Sequence, residues 1–192
     1  MTKVKENSIN RKYMLWMDLE MSGLDPEKDR IIEVASVITD GELNIIEEGP
    51  HMVIYQSDAI LDGMDAWNKK QHKKSGLIEL VKASRITTEE AEEELLGFVK
   101  KHCPPNVTPL CGNSIHHDRR FLIKYMPQLH AYLHYRMVDV TTIKALVQRW
   151  YPKPKLFSKK KDIHRATDDM HNSINELKFL REHYFVREHK DA

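Results

Sequence analysis

The chain has 192 residues, 41% of them hydrophobic and 31% charged, which predicts one globular domain with a sizeable core. Thirty basic residues face 29 acidic ones for a net charge of +1, which excludes the large cationic surface that proteins gripping long nucleic acids use to release counterions. No apolar run approaches the roughly 18 residues of a membrane span, two cysteines (Cys103 and Cys111) are too few for a disulfide framework, and Met1 to Ser8 contain no apolar signal core, so a cytoplasmic protein with no membrane partner is expected.

In chain order, residues 1–11 read as a flexible polar tail, 12–186 as one domain and 187–192 as a second tail. A first strand is predicted over about Lys12 to Leu19, and Met21 to Pro26 as a turn. The β-branched run Arg30 to Thr39 is a second strand. Asp40-Gly41 closes a hairpin onto Leu43 to Glu48, and Met52 to Tyr55 offers a further strand. Helical character follows over Met64 to Lys73 and Gly76 to Ser84. Thr87-Thr88-Glu89-Glu90 is a capping box that opens a helix to about His102, which Pro104-Pro105 ends. Thr108 to Gly112 is a short strand, and Asn113-Ser114 is expected to cap a helix over Ile115 to Met126. Val138 to Val140 is another short strand, after which Thr141 or Thr142 caps a helix ending near Trp150. Tyr151 to Asp162 is a basic loop. Ala166 to Tyr184 carries Met170, Ile174, Leu177 and Phe179-Leu180 at helical period. Hairpin strands followed by alternating helices and strands imply an α/β fold, a mixed sheet with leading antiparallel strands covered by helices.

The chemistry begins in the first strand. Asp18 and Glu20 lie two apart among Met, Leu and Trp, so a strand projects both carboxylates to one face. Two anions side by side on a burying sheet are costly unless a cation joins them, which points to a divalent metal site. Asp-x-Glu recurs at Asp25-Pro26-Glu27 and Asp40-Gly41-Glu42, but beside Pro or Gly, where carboxylates in turns face water. Asp118 falls in the first turn of a helix and Asp168-Asp169 open the last one. Either position also suits an acid that simply favours a helix N-terminus, worth about 0.3–1 kcal/mol. His164 precedes Asp169 with four residues between, a spacing that His134 and Asp139 repeat.

The ordered set, Asp-x-Glu, then Asp, then His-x4-Asp, resembles the DEDDh exonuclease superfamily with its ribonuclease H-like fold, and within it the oligoribonuclease family. The resembling segments are WMDLEMSGLD at 16–25, RIIEVASVITD at 30–40, SGLIELVKAS at 75–84, CGNSIHHDRRFL at 111–122, HYRMVDVTTIK at 134–144 and HRATDDMHNSINELKFLREHYF at 164–185. They are collinear and cover most of residues 12–186. The resemblance implies that Asp18, Glu20, Asp118 and Asp169 bind two divalent cations, Mg²⁺ or Mn²⁺, and that His164 is the general base; the family spacing selects Asp169 over Asp168. Leu24 and Trp67 would contact bases, with His72 beside them, although Trp67 read alone is equally a core residue. Ser114, Tyr135, Arg136 and Thr141 would cap a 5′ phosphate, with Tyr135 and Arg136 contributed in trans by a homodimer. Thr141 stands where the family more often has Ser.

The activity so implied is metal-dependent 3′→5′ hydrolysis of very short RNA, especially dinucleotides, to 5′ mononucleotides, the final step of RNA degradation. A related exonuclease acting on longer ends and a non-catalytic RNA-binding subunit are the alternative readings. His116 and His117 are expected to be solvated, because adjacent helical residues diverge by about 100° and do not both face one ion. Lys159-Lys160-Lys161 reads as a solvated face with a phosphate-steering position.

Overall fold

The computed structural model describes residues 12–158 and 165–185. The expected tails, His164 and the Lys159-Lys160-Lys161 run lie outside the described residues. Among the described residues the chain forms β1 (Met14–Met21), β2 (Ile31–Thr39), β3 (Ile45–Val53), α1 (Asp58–Gly63), α2 (Ala66–Lys74), α3 (Leu77–Ala83), α4 (Thr88–His102), β4 (Leu110–Gly112), α5 (His116–Tyr125), α6 (Pro127–Tyr132), β5 (Met137–Asp139), α7 (Val140–Trp150) and α8 (Ala166–Tyr184). The strands make one sheet in the order β3-β2-β1-β4-β5. β1 pairs antiparallel with β2 and parallel with β4, so the mixed sheet with leading antiparallel strands is as expected.

β1 shows why the acids end up where they do. Leu15, Met17 and Leu19 alternate onto one face, where α4, α5 and α6 cover them with Leu95, Val99, Phe121, Leu122 and Leu129. Trp16 lies on the other face with Ala35, Val37 and Val140, under Met170, Ile174, Leu177 and Leu180 of α8. Its indole N–H donates to Thr39 Oγ1 at 3.0 Å, so the buried ring leaves no polar group unpaired. Period two then carries Asp18 and Glu20 to the α8 face. The register places Asp18 opposite Ala35 and Glu20 opposite Glu33. A third cluster, Ile32, Leu61, Met64, Leu77 and Val81, packs α1 and α3 against the end of β2 near the acids.

Several predicted boundaries differ. The two strands expected after the hairpin are one, β3, because Gly49-Pro50 bends it without ending it. It is an edge strand, where a missing N–H costs no ladder bond, and its register shifts across that step and again between Ile45 and Glu47. A Cβ on Gly49 would lie 2.3 Å from Ser36 Oγ, so the close approach of the strands requires glycine. Met21 belongs to β1, not to the turn. Asn113-Ser114 does not cap α5, which has no side-chain cap bond, and α7 is capped by Asp139, whose side chain accepts from Thr141 N, not by Thr141 or Thr142. The short α1 and α6 were not expected. The capping box of α4 is present, with Thr87 and Glu90 exchanging side-chain and backbone bonds.

Candidate active site

Asp18, Glu20, Asp118 and Asp169 line one cleft of about 450 Å³ at the ends of β1 and β4, together with Leu24, Trp67, Asn113, Ser114, His117 and Ser173. Three separate elements bring the acids together. β1 supplies Asp18 and Glu20. Asp118, buried in the first turn of α5, has its Oδ1 fixed by the Leu19 N–H at 2.8 Å, which ties α5 across the central strand. Asp169 enters from α8, on the flank of the stripe Ala166, Met170, Ile174 that seats this helix on the sheet. Asp168, one residue earlier, is exposed and is not among the residues lining the cleft.

The electrostatics are those of a cleft holding too much negative charge. Glu20 is raised from its ordinary 4.5 to about 8, first by burial and then by Glu33, Asp169 and Asp118, with Arg165 opposing. Asp118 is raised to about 7 by burial, against the lowering effect of the Leu19 N–H. Among the described residues no three His, Cys, Asp or Glu side chains already converge as a ready ligand set. The donors are nonetheless all carboxylate oxygens, the chemistry preferred by hard divalent cations. A dication among them would relieve the burial and repulsion that hold Glu20 and Asp118 protonated.

Glu33 is fully buried opposite Glu20, and it is paired. Arg165 donates to it through Nη2 at 2.6 Å and through Nε at 2.9 Å, and His51 Nε2 lies 2.7 Å away. Nothing in the sequence links Glu33 to Arg165, which are 132 residues apart, so the pair was not anticipated. His72 sits beneath the cleft, buried, with Nε2 3.0 Å from Met21 O and Nδ1 3.9 Å from Glu20.

Leu24 and Trp67 are 58% and 60% exposed at the mouth of the cleft, which removes the core-packing alternative for Trp67. Leu24 rides on a tightly bonded loop. Asp29 accepts from Ser22 Oγ and Asp25 N, and Tyr125 OH and Arg30 tie its far side. Ser114 lines the cleft and is bonded to Thr141, whose Oγ1 is 3.0 Å from Ser114 N. Tyr135 and Arg136 are not brought to this cleft. Tyr135 is 72% exposed with the Arg136 guanidinium 5.5 Å over its ring, and neither is among the residues lining the cleft. His116 is exposed near Asp139, as expected for a solvated histidine. His117 departs from that expectation: it lines the cleft with a buried, unpartnered Nδ1, and burial, then His116 and Arg120, push its imidazole below the usual range. Asn113, read from the sequence only as part of a cap, and Ser173, not singled out there, are further cleft residues.

An exonuclease family profile, RNase T, matches residues 15–177. The oligoribonuclease of Thiobacillus denitrificans is 49% identical over 181 residues, covering 94% of this chain and all of that protein. The chain belongs to the oligoribonuclease family. The mitochondrial oligoribonuclease of Homo sapiens is 53% identical over 175 residues, 91% of this chain and 74% of that protein. Escherichia coli exonuclease I, solved in complex with a dT13 oligonucleotide, shares the fold at 16% identity with a TM-score of 0.65. This oligoribonuclease family member overlaps it over 88% of its own length and spans 41% of that longer chain.

Proposed function

We propose that the protein is a 3′→5′ exoribonuclease that hydrolyses very short oligoribonucleotides, dinucleotides above all, to 5′ mononucleotides in the cytoplasm, completing RNA degradation. The observation that carries this reading is the convergence of Asp18, Glu20, Asp118 and Asp169 from three elements into one cleft, beside two exposed apolar side chains. Family membership at about half identity over nearly the whole chain supports it.

In this reading Asp18, Glu20, Asp118 and Asp169 hold a pair of divalent cations, Mg²⁺ or Mn²⁺. Bound there, such ions supply charge neutralisation and activation at the scissile phosphate. Leu24 and Trp67 grip bases by apolar contact and stacking, which tolerates any base. His164 accepts the proton of the attacking water at an imidazole nitrogen, a role suited to a group that titrates near neutrality. His72 supports the wall behind Glu20. Ser114 and Thr141 receive the 5′ end, and a closed 5′ end is what limits the substrate to a few nucleotides. Tyr135 and Arg136, which do not line their own cleft, are assigned to the partner's cleft in a homodimer. The exposed Met137 of β5 and Leu146, Trp150 and Tyr151 in and after α7 are the apolar area such an interface would bury.

Turnover of a 5′-phosphorylated diribonucleotide in Mg²⁺ or Mn²⁺, compared with a twenty-nucleotide RNA, tests the reading. Faster hydrolysis of the dinucleotide is expected, and no product at saturating enzyme rejects the proposal. Faster cutting of the long RNA would instead favour an exonuclease of long ends. Sedimentation of a fully active monomer would remove the assignment of Tyr135 and Arg136.

A further inference from the structure

Behind Ser114 and Thr141 runs a chain of hydrogen bonds whose direction is fixed from its far end. Asn113 Nδ2 donates to Ser173 Oγ at 2.9 Å and to Glu176 Oε2 at 3.1 Å. Both partners force that orientation of the amide. Ser173 has already given its single proton to Asp169 O at 2.9 Å, so it can only accept. Glu176 is buried and paired with Lys144 Nζ at 3.1 Å, so its carboxylate also only accepts. The Asn113 carbonyl must therefore point the other way, where Thr141 Oγ1 donates to it at 3.0 Å. With its one proton committed inward, Thr141 receives from Ser114 N at 3.0 Å, and the Ser114 hydroxyl at 3.2 Å is left as the donor of that pair. Ser114 takes a left-handed backbone, φ 51°, a conformation that costs a serine about 1 kcal/mol or more. It turns the Ser114 N–H inward to Asp139 Oδ1 and Thr141.

We propose that Asn113, oriented by Ser173 and Glu176, is a positioning residue that sets the hydrogen-bond direction at the 5′-end site: with the Thr141 proton held by Asn113, the Ser114 proton, which rests on Thr141 in the free site, is the one that turns to a terminal phosphate, and Thr141 is no second donor. This rests on the reading above that Ser114 and Thr141 receive the 5′ end. Its consequence is specificity: a 5′ phosphate accepts the redirected Ser114 proton, whereas a 5′ hydroxyl offers a weaker acceptor and no charge. None of Asn113, Ser173 and Glu176 needs to touch the phosphate for this to hold.

The experiment compares kcat/KM for a 5′-phosphorylated and a 5′-hydroxyl diribonucleotide in the full chain with Mn²⁺, for wild type, Asn113→Ala, Glu176→Gln and Thr141→Ser. Wild type is expected to prefer the phosphorylated substrate. Asn113→Ala should narrow that preference by about tenfold, the size of one charge-assisted bond, chiefly through KM of the phosphorylated substrate. Glu176→Gln preserves shape but lets the amide turn over, and should narrow it by about threefold. Thr141→Ser keeps the inward donor and should keep the preference. Equal loss on both substrates in Asn113→Ala, which is what a merely structural role produces, overturns the proposal. So does an unchanged preference in Glu176→Gln, a variant that decides the matter even where Asn113→Ala fails to fold. Wild type active on both substrates without preference likewise overturns it, whereas wild type inactive on both overturns the proposed function itself.

Discussion

If the cleft holds cations as proposed, it should destabilise the protein that lacks them, and Glu20 gives the size of the effect. Its pKa is 4.5 in an unfolded chain and about 8 in the fold. Between those values the native state binds more protons than the unfolded state, so stability falls as pH rises. At about 1.4 kcal/mol per pH unit the gap amounts to roughly 4 kcal/mol lost by pH 8, where the group is half ionised. Asp118, raised to about 7, acts in the same direction over a lower range, and because the two acids repel one another their effects do not simply add. Glu20→Gln removes the titration while keeping the shape. In urea denaturation with a chelator present, the variant should exceed wild type by about 2–4 kcal/mol at pH 8 and match it near pH 5. Mn²⁺ should then reverse the order at pH 8, because it stabilises only the protein with all four acids. A variant no more stable than wild type at pH 8, or a gain independent of pH, would refute the claim that repulsion and burial at Glu20 oppose folding.

Trp67→Ala removes a side chain that is 60% exposed, so melting should move by no more than about 2 °C while KM for dinucleotides rises about tenfold, as steady-state kinetics will register. His164→Ala should abolish turnover yet leave dinucleotide binding nearly intact, which a filter-binding or calorimetric titration with unreacted substrate distinguishes from loss of fold. Glu33→Gln leaves the half-buried Arg165 without its fully buried carboxylate and should cost about 3 kcal/mol in denaturant titration. Gly23→Ala sets a Cβ 2.3 Å from Asp29 Oδ2, forcing the Leu24 loop to move. KM should rise several-fold with kcat little changed, and an unaltered KM would show that the loop does not hold substrate.

What the sequence revealed was whatever depends on local period and local chemistry. Alternation in Leu15, Trp16, Met17, Asp18, Leu19 and Glu20 dictates which face the acids take, and the structure puts Asp18 and Glu20 on that face. The capping box at Thr87 names the start of α4 within a residue. Features decided by distant partners were illegible. Ser114 looks like a cap from its neighbours, but bonds to Asp139 and Thr141 pull it into a left-handed turn. β3 was split at Gly49-Pro50 because edge position, which makes a proline tolerable, is a property of the sheet and not of the segment. α6 is six residues opened by Pro127, too short for a periodic signal. The Glu33–Arg165 pair joins strand to helix across 132 residues, and no spacing rule reaches that far.

That pair also explains how the fold tolerates a third acid on the catalytic face. Glu33 stands directly opposite Glu20, and left alone it would add its charge to the cleft in the absence and presence of cations alike. Arg165 satisfies it with three bonds and is itself held protonated more firmly by that contact. Because Arg165 immediately precedes α8, the ion pair fixes where the helix begins. Ala166 N reaches Glu33 Oε2 at 3.3 Å, and Arg165 O accepts from Asp169 N at 3.0 Å. One buried contact thus does two things that are usually in conflict. It commits the arginine to Glu33, so that Glu20, Asp118 and Asp169 are left without a direct cationic partner from this residue, and it sets the first turn of the helix that delivers Asp169. An arginine pointed into the cleft would have quieted the repulsion at Glu20 and would compete with the cations proposed to bind there.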